Sequence, residues 1–220
     1  MVVRWILLLL LLALGAFLLL LGTGDDTPRD GPEQILPWQI RGNADGTTTV
    51  FGITPGHTRL AEVLETLGRD SELAVLAAPG GAGSLEMYYG RYQAGPLTGK
   101  LVLRAAVAPE QLQQWQQRAA RQEPMPSGQV RKFTLNTDDA SAALQSVVQS
   151  IAFLPAVNLD EEIVTGRFGE PAQRVQTAEG VVHYLYPGLG LDVTVSAEEK
   201  DVLQYVAPGD FEELLLAPLR

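Results

Sequence analysis

The chain has no cysteine and only two histidines. Without cysteine there is no disulfide scaffold, thiol nucleophile, iron–sulfur cluster or cysteine-linked lipid. His57 and His183 fall in neither HxxxH nor HExxH spacing, so no zinc motif forms. Positive charge is also scarce: 16 Lys and Arg against 26 Asp and Glu leave a net charge of −10. That balance weighs against a nucleic-acid partner, because such a binder needs a basic surface to displace phosphate counterions, and no nucleic acid is expected. No serine sits in a Gly-x-Ser-x-Gly elbow, which removes the common hydrolase signature.

What the chain does have, at its start, is one long apolar run. Trp5 to Leu21 is 17 residues without a charge. As a helix it rises about 26 Å, and Val2, Val3 and Gly22 lengthen it enough to span a bilayer. Arg4 before it and Asp25, Asp26 and Asp30 after it predict a cytoplasmic N-terminus. Residues 1–22 therefore read as a signal anchor, single-pass in the inner membrane, with the C-terminal body periplasmic or otherwise extracytoplasmic. The competing reading is a cleaved signal peptide with Gly22-Thr23-Gly24 as the small-x-small site. Residues 23–36, with Gly24, Pro28, Gly31 and Pro32 among charges, read as a flexible linker.

The body predicts an α+β fold of short antiparallel strands with packed helices. Pro37–Ile40 and Thr47–Ile53 flank Asn43-Ala-Asp45-Gly46, a hairpin signal. Thr54-Pro55 opens a helix that Gly68 ends, with Leu60, Val63, Leu64 and Leu67 on one face. Strands follow at 72–77, 84–89 and 100–107, then a helix at 109–121, a strand at 129–135 and a helix at 138–153. The second half reads as a helix over 160–168 ending at Gly169, then strands at 174–177, 181–186, 191–195 and 201–206. Both halves thus run helix, glycine, strands and Val-Ala-Pro (107–109 and 206–208), offset by about 100 residues. That order predicts two repeated units, 37–128 and 129–220.

Gly52-Ile53-Thr54-Pro55-Gly56 followed by Leu60, Glu62-Val63 and Leu67-Gly68 resembles the opening of SmpA/OmlA-type modules. These occur in outer-membrane assembly lipoproteins and in β-lactamase-inhibitor-type repeats. Ile163 to Phe168-Gly169-Glu170-Pro171 resembles it again in the second half. The resemblance implies helices packed on one face of a small antiparallel sheet, and binding to other proteins rather than catalysis. The chain departs from those lipoproteins in lacking their lipid-bearing cysteine.

Candidate chemistry is sparse. Gly80-Gly81-Ala82-Gly83 leads into a strand pattern and reads as a hairpin connection rather than a phosphate cradle. Gly95–Lys100 lacks the first glycine and the hydroxyl of a phosphate loop. Asp138-Asp139 and Asp160-Glu161-Glu162 open helices, where the dipole favours acids, and Glu198-Glu199 lies in a turn. Both histidines read as surface or strand residues, with a pH-responsive contact at His183 as the functional alternative. The tyrosines carry more information. Tyr88, Tyr89, Tyr92, Tyr184 and Tyr186 fall on strands, either as core or as an aromatic surface for a protein partner. Phe211, Leu214 and Leu215 suit a C-terminal helix that docks on the second sheet or engages a partner. The sequence therefore predicts a membrane-anchored, non-enzymatic binding or scaffolding protein of the cell envelope, with no cofactor and no metal. The alternative is an envelope enzyme or small-ligand carrier using a cleft between the two units.

Overall fold

The structure, a computed structural model, describes residues 36–126, 128–177 and 180–220. The expected transmembrane segment from Trp5 to Leu21, and the linker up to residue 35, lie outside the described residues. Among the described residues no helix is long and apolar enough to cross a membrane.

The body is α+β, dominated by antiparallel sheet. A two-stranded ribbon, β1 (Arg41–Gly42) and β2 (Thr48–Thr49), precedes α1 (Leu60–Leu67). Then come β3 (Glu72–Ala77), β4 (Ser84–Ala94) and β5 (Leu97–Ala105), with α2 (Pro109–Gln117) after them. A hairpin of β6 (Arg121–Pro124) and β7 (Arg131–Thr134) leads to α3 (Thr137–Ala143) and β8 (Val148–Pro155). The remainder is α4 (Glu161–Phe168), β9 (Gln173–Gln176), β10 (Val182–Tyr186), β11 (Leu191–Val195) and β12 (Val202–Val206). A run of helical turns, Pro208–Asp210, Glu212–Leu216 and Ala217–Leu219, closes the chain.

Ten strands form one sheet in the order β6-β7-β3-β4-β5-β8-β12-β11-β10-β9. The boundary expected at 128/129 does not divide it, because β7 pairs with β3 across that point and the described residues from 36 to 220 belong to one compact unit. At the middle, β8 and β12 pair antiparallel, Ile151 opposite Tyr205 and Phe153 opposite Leu203. The two edge strands are short, and β6 carries Arg121, Glu123 and Pro124, residues that discourage edge-to-edge pairing.

Two helix expectations are corrected. The helix read over 138–153 ends at Ala143, and Val148–Pro155 becomes the central strand. Val148, Ile151, Phe153 and Pro155 are buried, and β5 and β12 bond this strand on both sides, so tertiary pairing overrides helical spacing. Its cap is Asn136, whose side-chain oxygen accepts the Asp139 amide at 2.9 Å. The helix expected from Thr54 begins instead at Leu60. Thr58 and Arg59 stay extended because they bridge β8, with the Val148 amide donating to the Thr58 carbonyl at 2.8 Å. The later helix starts at Glu161 and is capped by Asp160, whose carboxylate accepts from the Ile163 amide at 2.7 Å.

The sheet's two faces differ. Val75, Leu85, Met87, Tyr89, Leu101, Leu103, Ile151, Phe153, Leu203, Tyr205, Val193 and Tyr184 share one face by register, and all are buried. Leu60 and Val63 of α1, Leu112 and Trp115 of α2, Ala143 of α3 and Val164 of α4 join the same apolar cluster. Its centre is plugged by the turn Val50-Phe51-Gly52-Ile53, closed by Val50 and Ile53 bonding each other through both amides at 3.0 and 2.8 Å. Phe51 has φ 55, Gly52 has φ 74, and the pair occupies a type I′ turn that normally selects Asn or Gly at its first position. Complete burial offsets the strain, for the Phe51 ring stands 5.7 Å from both Phe153 and Tyr205 across the β8–β12 junction. The Tyr205 hydroxyl donates to the Pro37 carbonyl at 3.0 Å, tying the first described residues to this centre.

Candidate functional site

Among the described residues, the opposite face of the sheet has little cover. By register it presents Glu72 and Leu76 from β3, then Ser84, Glu86 and Tyr88 from β4. Lys100, Val102 and Arg104 follow from β5, Ser150, Ala152 and Leu154 from β8, and Gln204 from β12. Every one of these is exposed or half-buried. Among the described residues, Phe211 and Leu215 of the C-terminal turns cover one end of this face, packing on Leu185 and Val206. The docking alternative for those residues is therefore the one the structure shows, and Leu216 packs at the margin of the same cluster. Beside this segment a cleft of about 170 Å³ runs between Leu214 and Leu215 on one side and Arg104, Ser150, Ala152 and Gln204.

Only Tyr88 of the five expected tyrosines faces this open surface. Tyr89, Tyr184 and Tyr186 are buried on the covered face, and Tyr92 packs edge-on to Phe51 and Phe153. Burial pushes the Tyr92 hydroxyl up to about 12 and raises Tyr89, Tyr184 and Tyr186 above the ordinary value. Alternation does place Tyr184 and Tyr186 together and Tyr88 opposite Tyr89, but the shared face is the one the helices seal. Two hydroxyls serve the fold directly. Tyr89 donates to the Gly68 carbonyl at 2.8 Å and Tyr186 to the Gly169 carbonyl at 2.9 Å, each bonding the glycine that ends a helix.

One polar cluster escaped the sequence reading. The side chains of His183 on β10 and Asp192 on β11 meet at 2.8 Å between Nδ1 and Oδ2, with Thr194 Oγ1 3.3 Å from the same nitrogen. Asp192 is 2% exposed and His183 12%, and Asp192 Oδ1 has no partner. The signal was an acid inside the apolar run Leu191-Asp192-Val193, two residues from the register position opposite His183. His57, by contrast, is an exposed turn residue. The other buried acids have structural tasks. Asp139 takes a two-point bond from Arg118 at 2.6 and 3.1 Å, joining α3 to the end of α2. Asp201 accepts the amides of Leu159 and Ser196, pinning the β11–β12 turn beneath α4. Among the described residues, no group of three His, Asp or Glu side chains is placed to hold a metal ion.

Comparison of the chain with protein-family models, with curated proteins and with solved structures finds no match.

Proposed function

We propose that this chain is a membrane-anchored protein of the cell envelope that binds another protein through the open face of its sheet. The observation that carries the reading is the asymmetry of the sheet. Helices seal one face, whereas Tyr88, Val102, Ala152 and Leu154 stand half-exposed on the other among polar and charged neighbours. An amphipathic antiparallel sheet usually meets solvent with polar side chains, so an apolar strip across adjacent strands is surface suited to a partner. The anchor rests on Trp5–Leu21 and its flanking charges. Fractionation with protease protection in spheroplasts tests it: full-length chain in membranes, cleaved from outside, is the expected result, and full-length soluble chain in the cytosol rejects it. Replacing Tyr88 and Val102 by serine then tests the face, and should weaken partner capture without shifting the unfolding midpoint.

The same reading includes an internal duplication in the manner of the SmpA/OmlA-type modules. Each copy is a helix followed by four meandering strands, α1-β3-β4-β5-β8 and α4-β9-β10-β11-β12, joined through β8 and β12. The matching Tyr89–Gly68 and Tyr186–Gly169 bonds support it, as do Ile151 and Phe153 opposite Tyr205 and Leu203 at the junction. On this alignment the segment α2-β6-β7-α3 is an insertion in the first copy. The two Val-Ala-Pro tripeptides then follow non-equivalent strands.

A further inference from the structure

A depression where β5 begins and β8 ends gives the proposed binding surface a charge. The β4–β5 pairing is interrupted between Tyr89 and Tyr92, so Gly90 and Arg91 bulge from the ladder. Bulges re-aim side chains, and here the bulge brings Arg91 to a shallow depression of about 490 Å³. Lys100 from β5 and Lys200 from the β11–β12 turn line the same depression, with Thr98 between and Leu154, Pro155 and Ala156 alongside. Among the described residues none of these three cations forms an ion pair, although Glu198 and Glu199 are close to Lys200 in sequence. Three of 16 basic side chains thus line one depression in a chain that carries 26 acidic ones.

We propose that this depression receives a short acidic segment of a protein partner, two or three Asp or Glu side chains flanking one apolar residue. The cations take the carboxylates, and the apolar residue rests on Leu154 and Pro155. This rests on the protein-binding reading of the open face and names the chemistry of its partner. Length decides the occupant. Charges are screened beyond about 8–10 Å at ordinary ionic strength, so a short segment feels mainly the local cations. An anionic bilayer or a nucleic acid extends far past them and meets a body whose chain carries a net charge of −10.

The test uses the full-length chain in phosphatidylcholine nanodiscs and a fluorescein-labelled peptide with a Glu-Leu-Glu core between Gly and Ser residues, read by anisotropy at low salt. Saturable binding is expected. The triple variant Arg91→Ala, Lys100→Ala, Lys200→Ala should weaken it by about tenfold, from three solvent-screened charge contacts. A charge-matched triple at the exposed Arg41, Arg69 and Arg131, each to Ala, should leave it unchanged. Equal loss in both triples, or no binding of the peptide, overturns the proposal. So does displacement of the peptide when phosphatidylglycerol replaces part of the nanodisc lipid, since the site would then belong to the membrane. Failure of the wider reading looks different: the peptide still binds, but a crosslinker at Val102 captures no partner.

Discussion

Replacing His183 with leucine is expected to destabilise the body far more than a half-exposed strand histidine would. Among the described residues, the imidazole is the only side chain bonded to Asp192 at less than 3 Å, and Asp192 Oδ1 already lacks a partner. Removing one member of a buried pair leaves an uncompensated charge, a loss of about 3–5 kcal/mol. Removing both is different. His183→Leu with Asp192→Leu also removes the orphaned oxygen, and such replacements are commonly neutral or stabilising. The single variant should therefore unfold at markedly lower urea concentration, while the double recovers most of the loss. Urea unfolding of the full-length chain in mild detergent, followed by tryptophan fluorescence, measures all three variants. A single variant within about 1 kcal/mol of the parent, or a double as unstable as the single, refutes the argument.

Phe51→Ala should cost about 3–5 kcal/mol, because the lost ring no longer offsets a left-handed backbone at the sheet's centre, and the urea midpoint reports it. Tyr205→Phe should cost about 1–2 kcal/mol by leaving the Pro37 carbonyl without its donor, and should raise proteolysis near residue 37. Gly190→Ala should fail to accumulate as folded protein, since a Cβ there would lie 2.1 Å from the Val206 carbonyl oxygen at φ 64. Alkaline titration should find Tyr92 protonated in the folded body past pH 10; because its pKa of about 12 exceeds the unfolded value, this contribution to stability falls as pH rises from 10 to 12, read from tyrosinate absorbance and unfolding together.

The sequence disclosed the local signals and hid the long-range ones. Gly68 and Gly169 as helix ends, and the four strands of the second half, follow from capping chemistry and period-two alternation. Val148-Gln-Ser-Ile151-Ala-Phe153 did not, because a short apolar run suits either period and only β5 and β12 on its flanks make it a strand. The same gap misplaced the tyrosines. Alternation says which residues share a face, but which face the helices cover is settled by packing across the whole sheet. Asp192 and His183 could be joined only after the β10–β11 register was known.

The central claim, that the open sheet face is where a partner sits, is tested most directly by photo-crosslinking in intact cells. A photo-reactive residue is placed in turn at Val102 on the open face and at the exposed Glu65 and Gln113 on the helices of the covered side. A discrete adduct from position 102, absent from 65 and 113, is the predicted result. Adducts from the helix positions with none from 102 would contradict it.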